Sequence, residues 1–319
     1  SLSDPGRIHV IVANLKEMDP DNRDHITGEP RRDLARKGEL VNFAERLAGE
    51  LHVVPDVLLF SEAVSVSTRA TAKLLSREFK MPFGTAIAPT KLYIGNSTRR
   101  ANKRNTSVVI NKRTMERVGK GGYVTVKQPR GEQREGTLPT SQDEAHVLLR
   151  EKASGKKVAV MSVHLLSGRK FRSRDIARRR KGEWAEQLMT FFHKKYPDAP
   201  IKVVGGEFNE RRCTARVETN DCSGRRPNST STITPLWRAM TRDPYNYKDA
   251  VFEHNSDRPW DISRASPKLT NRGGKRIDYI FAKPAVHSGW HDLAYKTRMF
   301  TRGYISDHRF ISSVVGLPD

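Results

Sequence analysis

Apolar runs of strand length, each ending in a polar residue, restrict this chain more than any other feature. IHVIVAN (residues 8–14), VLLF (57–60), KVAVMSVH (157–164) and IKVVG (201–205) are too short for buried helices and rich in β-branched residues, so each reads as a buried strand. Between them lie helical patterns. Leu40, Phe43, Ala44, Leu47 and Leu51 recur at helical spacing over 38–51. A second helix is predicted over 67–79, opened by a Ser/Thr pair able to cap it. A third spans 173–195, with Ser173 as N-cap and Pro197 beyond its end, and 235–241 reads as a short fourth. The centre changes character: 106–111, 122–127, 145–151 and 157–164 are strand candidates separated by polar turns, which suits antiparallel pairing. Segments 275–281 and 309–315 close the chain as strands. The expected architecture is a four-layer α/β/β/α sandwich of two mostly antiparallel sheets, formed as one domain over residues 1–319. The connections 206–231 and 253–275 are long, and long loops on a rigid scaffold often carry function.

Charge narrows the partners. The chain has 58 Lys plus Arg against 36 Asp plus Glu, a net charge of +22, and such an excess attracts polyanions through steering and counterion release. No run approaches the ~20 apolar residues that span a bilayer, and no basic amphipathic anchor is present. Membrane insertion is therefore not expected, and nucleic acid is the expected partner. The two cysteines, Cys213 and Cys222, share one polar loop, CTARVETNDC. That arrangement excludes a zinc ribbon or a redox CxxC. It is expected to form a disulfide, which places the protein in an oxidising, extracellular setting; two free thiols in a cytosolic protein are the alternative.

The polar residues at the strand ends carry the chemistry. Asn14 ends the first strand, Glu62 follows the second and His164 ends a later one. Glu207 and Asn209 follow IKVV, Asp278 sits in RIDYIF, and Asp307–His308 precedes the last strand. Any one of them alone is more often a solvated loop residue or a satisfied structural group. Together they supply carboxylates for a hard divalent cation, imidazoles for proton transfer and amides to orient phosphate oxygens, the set that metal-assisted phosphodiester hydrolysis needs.

With those motifs in that order (VANL, LLFSEAV, VMSVHLLSG, GGEFNE, KRIDYIF and ISDHRF), nearly the whole chain resembles the endonuclease/exonuclease/phosphatase superfamily, deoxyribonuclease I among its members. The resemblance implies Glu62 as principal Mg²⁺ ligand, with Mn²⁺ or Ca²⁺ as alternatives, and Asn14 and Asp307 close to the metal or its waters. It implies Asn209 as the amide on the scissile phosphate. Asp278 and His308 are implied to form a carboxylate–imidazole pair that assists water attack, and His164 to be the second imidazole. One departure matters. The family motif has aspartate where this chain has Glu207, which is a native variant, a disabling substitution or the mark of a weakened enzyme. A second departure is that the segment expected to hold a glutamate against His164 offers Asn105 instead.

Basic residues flank these motifs: Arg99 and Arg104; Arg169, Lys170, Arg172, Arg174 and the run Arg178–Lys181; and Arg211 and Arg212 behind Glu207. Such runs suit phosphate contacts that carry no base specificity, although part of the helical run around Arg178 reads as a solvated face. Among the aromatics, Trp260 is a candidate for base stacking and Trp184 for packing. The leading expectation is a secreted, monomeric, low-specificity endonuclease acting on double-stranded DNA, as a nutritional nuclease or a genotoxin. A sphingomyelinase-like lipid phosphodiesterase would need an exposed apolar hairpin, and none is legible. A non-catalytic nucleic-acid-binding protein on the same fold is the alternative of a different class.

Overall fold

A computed structural model of the chain describes residues 2–15, 39–51, 53–63, 65–89, 106–214, 232–250, 252, 277–283, 285–292 and 310–316. Two sheets form the centre. The first runs in the order Ala285–Asp292 (β12), Ile311–Gly316 (β13), Arg7–Asn14 (β1), Val57–Ser61 (β2), Ser107–Asn111 (β4), Phe83–Ile87 (β3). The second runs Lys248–Asp249 (β10), Asp278–Lys283 (β11), Ile201–Glu207 (β9), Lys157–His164 (β8), Ser141–Glu151 (β7), Met115–Arg117 (β5), with Gly122–Lys127 (β6) also paired to β7. Helices Glu39–Glu50 (α1) and Ser65–Phe79 (α2) cover the first sheet. Arg174–Lys195 (α3) and Pro235–Thr241 (α4) cover the second. The predicted four-layer sandwich is the observed one.

Alternation along the strands makes the layers. Val10 and Val12 face inward and meet Leu59, Val160, Val203 and Ile280 in the core between the sheets. Ile11 and Ala13, one residue out of phase, face α1 with Phe43 and Leu47, as the period of two requires. Trp184, Leu188 and Phe192 of α3 pack on Met161, Val163 and Val204. Trp184 is thus a packing residue, and its Nε1 donates to the Lys127 carbonyl at 3.2 Å. Ser173 caps α3 as predicted, accepting from the Ile176 amide at 3.2 Å.

One pairing differs from expectation. The strand predicted over 106–111 does not join the central strands that follow it; as β4 it pairs with β2 and β3 in the other sheet. The remaining three central strands pair antiparallel, as expected. Sequence adjacency favours pairing, but a buried apolar strand fits either sheet, and only the completed core selects one.

Two pairs are parallel, β1 with β2 and β8 with β9. Parallel neighbours need a crossover, and α1 and α3 lie between the paired strands in sequence. The pairs also touch across the core, where Ser162 Oγ donates to the Phe60 carbonyl at 2.9 Å. The carboxyl ends of four strands from both sheets are thereby brought together. Close approach there needs glycine: a Cβ on Gly205 would lie 2.6 Å from Val12 Cγ2, and one on Gly206, at φ +140, 2.0 Å from the Val163 carbonyl oxygen.

The far end of α3 makes folding sensitive to acid. Burial, with Lys195 nearby, pushes His146 down to about 4, and its Nδ1 lies 2.7 Å from Tyr196 Oη. Burial, with Lys202 and Lys283, does the same to His193, also to about 4. Both rings stay neutral in the fold while the unfolded chain protonates them near 6.5, so stability is lost as pH falls from 6.5 towards 4. The loss expected from His146 is roughly 2–3 kcal/mol, with a smaller share from the more exposed His193. Urea unfolding at pH 7 and pH 4.5 measures it, and His146→Gln should reduce the difference between the two.

Candidate active site

Asn14, Glu62, His164 and Glu207 sit at the carboxyl ends of β1, β2, β8 and β9. The register places them. His164 is opposite Glu207 in the parallel β8–β9 pair, and Asp278 is opposite Glu207 in the antiparallel β9–β11 pair. Three neighbouring strands thus hold His164, Glu207 and Asp278 in one row. Asn14 pairs with Ser61 in the other sheet, and Glu62 follows with φ +47, a left-handed turn that takes the chain out of β2.

The side chains converge across the two sheets. Asn14 Nδ2 donates to Glu207 Oε2 at 2.6 Å. His164 Nε2 lies 3.5 Å from Glu207 Oε2 and 3.9 Å from Glu62 Oε1. One ligand atom from each of Glu62, His164 and Glu207 lies within 4.8 Å of the others. Asn14, Glu207 and Asp278 are buried, while Glu62 and His164 stay partly open to solvent. Two carboxylates and an imidazole at such range form a set of negative, oxygen-rich donors that a hard divalent cation fits, since Mg²⁺ is held by one or two carboxylates rather than a full protein cage.

The loop after β9 adds Asn209. Glu207, Phe208 and Asn209 point in three directions. Phe208 enters the second core against Tyr279 and Phe281, while Asn209 adopts φ +51 and donates from Nδ2 to the Leu165 carbonyl at 2.8 Å. Lys181 of α3 is buried there, with Nζ donating to the Asn209 carbonyl. That lysine, predicted as part of a substrate-facing run, instead fixes the loop.

Glu144 of β7 was not singled out in the sequence. It is fully buried and accepts the His164 backbone N–H at 2.7 Å. Burial pushes its carboxyl up to about 8, although the His164 amide and charge pull it down. An acid therefore does bond His164, from β7, at its backbone N–H rather than at its imidazole. Asn105, offered at that role by the sequence, lies outside the described residues, as do Asp307 and His308. Glu144 was legible only as the residue just before a predicted strand; β7 starts four residues earlier, at Ser141.

No family model matches the sequence, and no curated protein does. Solved structures do. An endonuclease/exonuclease/phosphatase family protein of Bacteroides thetaiotaomicron superposes over 99% of this chain and 100% of its own, at a TM-score of 0.58 and 13% identity. The mannosyl-6-phosphatase Bt3783 of the same species covers 97% and 99%, at 0.59 and 12%. D. rerio TDP2 complexed with single-strand DNA product covers 97% and 98%, at 0.53 and 14%. The chain has the endonuclease/exonuclease/phosphatase fold.

On this endonuclease/exonuclease/phosphatase scaffold the predicted basic contacts separate into two kinds. Arg169, Lys170, Arg172 and Arg174 are exposed, and Arg211 is half-buried beside them. Arg212 is a correction. It is buried, its guanidinium 4.8 Å from the Trp237 ring and 4.4 Å from that of Phe252, because a planar, weakly hydrated cation stacks well on aromatics. It packs inside the fold against Trp237 of α4. The run around Arg178 is not simply solvated either: Arg179 and Arg180 bond Glu132, and Arg178 donates to the Thr214 carbonyl. Arg99, Arg104, Trp260 and Cys222 lie outside the described residues, while Cys213 is buried.

Proposed function

We propose that this protein is a Mg²⁺-dependent phosphodiesterase that hydrolyses nucleic acid, acting on DNA as an endonuclease of low sequence specificity. The observation that carries this reading is the Glu62–His164–Glu207 cluster with Asn209 beside it, on a chain of net charge +22. The superposed TDP2, solved with a DNA product, and the superposed phosphatase support phosphoester chemistry on this scaffold. In the same reading the chain is a single domain over 1–319 that works as a monomer outside the cell, with Cys213 and Cys222 joined; the shared polar loop of the two cysteines supports that setting.

Glu62 and Glu207 would hold the cation, with Asn14 fixing Glu207 through its 2.6 Å bond. When bound, Mg²⁺ supplies Lewis-acid stabilisation of charge on the phosphate. His164, with Nε2 facing the cluster, donates a hydrogen bond to a phosphate oxygen as negative charge builds there. Its main chain is held by the Glu144 carboxylate, which accepts the His164 backbone N–H at 2.7 Å. Asn209 presents its amide to the same phosphate from the left-handed loop that Lys181 fixes. Asp278, at the start of β11 beside Glu207, is the carboxylate that the family resemblance pairs with His308 to orient the attacking water.

Supercoiled plasmid incubated with Mg²⁺ should be nicked to the relaxed form, with a chelator abolishing the reaction. Binding without nicking under any divalent cation would sink the enzymatic reading and favour a nucleic-acid-binding protein. Cleavage of sphingomyelin but not plasmid would favour the lipid reading. That alternative gains no support from the surface: among the described residues only Leu2 and Leu138 are large exposed apolar side chains, and no helix is long and apolar enough to cross a membrane.

A further inference from the structure

A cleft of about 540 Å³ opens beside Asn209, between the loop after β8, the first turns of α3 and the loop after β9. Its lining carries six cationic side chains and one carboxylate, Glu210. Three of the cations are committed within the protein. Lys181 holds the Asn209 carbonyl and lies 3.9 Å from Glu210 Oε2, Arg178 donates to the Thr214 carbonyl, and Arg211 is engaged within the chain. Arg169, Arg172 and Arg174 differ. All three are exposed, and among the described residues no carboxylate or carbonyl engages their guanidinium groups.

A solvated arginine is ordinary, but three that converge on one concave surface repel one another and leave a field that an anion would relieve. Asp175, in the first turn of α3, does not line the cleft. The positive end of a 22-residue helix, whose N-cap is Ser173, adds to the same field. The neighbouring arginines show what an acid within reach does: Arg179 and Arg180 are both held by Glu132. Planar, forked guanidinium groups favour phosphate oxygens. Asn209, two residues past Glu207, lines the cleft, so a strand whose scissile phosphate lay at Asn209 and His164 would continue into it.

We infer that this cleft is a subsite for the backbone phosphates next to the scissile one, held by Arg169, Arg172 and Arg174 on the Asn209 side. This rests on the nucleic-acid reading of the site and deepens it. The preferred substrate is a strand extending past the cleaved bond on that side, and an isolated phosphodiester forgoes this grip.

The test is equilibrium binding of a labelled short oligothymidylate to the full chain in EDTA, by fluorescence anisotropy across a KCl series. The cleft variant carries Arg169→Ala, Arg172→Ala and Arg174→Ala. A control variant carries Lys73→Ala, Lys120→Ala and Lys194→Ala, three exposed lysines away from the cleft, so both lose the same charge. The cleft variant should bind at least about ten-fold more weakly, and its slope of log K against log salt should fall by about 2, as loss of three phosphate contacts on a single strand predicts. The control should change less than about three-fold. An oligothymidylate with uncharged methylphosphonate linkages should bind wild type and cleft variant equally. Equal losses in cleft and control variants, or a cleft penalty that persists with the uncharged strand, would overturn the subsite. EDTA removes hydrolysis from the readout, so failure of wild type to nick plasmid counts against the catalytic reading and leaves this result standing.

Discussion

Glu62→Gln is expected to lower Mg²⁺-supported hydrolysis by about 10³-fold, equivalent to roughly 4 kcal/mol of transition-state stabilisation. Glutamine keeps the shape and removes the charge, so one of the two carboxylates in the cluster is lost while packing is retained. Glu62 is partly open to solvent and follows β2 with φ +47, so its side chain supports little of the fold. Its removal also relieves repulsion from Glu207, and the midpoint of thermal unfolding should stay within a few degrees of wild type. The Mg²⁺ concentration giving half-maximal rate should rise. A variant that cleaves within a few-fold of wild type, at an unchanged Mg²⁺ requirement, would remove Glu62 from the site.

Glu207→Asp is expected to reduce activity by about 100-fold, although aspartate is the residue that the family resemblance implies at this position. Glu207 projects from β9 between His164 and Asp278, and its Oε2 reaches Asn14 Nδ2 at 2.6 Å and lies 3.5 Å from His164 Nε2. Losing a methylene retracts the carboxylate by over ~1 Å, which takes the Asn14 contact beyond hydrogen-bond range, and a displacement of that size costs on the order of 100-fold. The fixed geometry on both sides, with Gly205 and Gly206 pressed against Val12 and Val163, leaves β9 little room to advance and compensate. Plasmid relaxation by the two proteins side by side decides the matter. Higher activity in the aspartate variant would mean that Glu207 disables a site built for the shorter residue.

Several elements were legible because their signal is local. Ser173 announces α3, and the helical spacing from Leu40 to Leu47 announces α1. The apolar runs at β1, β2, β8 and β9 have few alternatives to burial. Strands at the margins were missed for the converse reason. FGTAI at β3 is five residues with Thr85 exposed, MER at β5 is three, and AVHSGWHD at β12 mixes polar and apolar residues without alternation. Such segments become strands because a neighbour offers a free edge to pair with.

The sequence alone determined the layered architecture, the polar strand ends and the cationic excess, since periodicity, residue type and charge count need no knowledge of neighbours. Only the tertiary structure decided that Asn14 and Glu207, 193 residues apart, share a hydrogen bond, that Glu144 is the acid that accepts the His164 backbone N–H, and that Arg212 is buried on Trp237 while Arg172 and Arg174 are exposed over a cleft. Those outcomes depend on which strands pair and in what register. That choice is made by filling the space between two sheets, a property of the whole chain that no local window of residues contains.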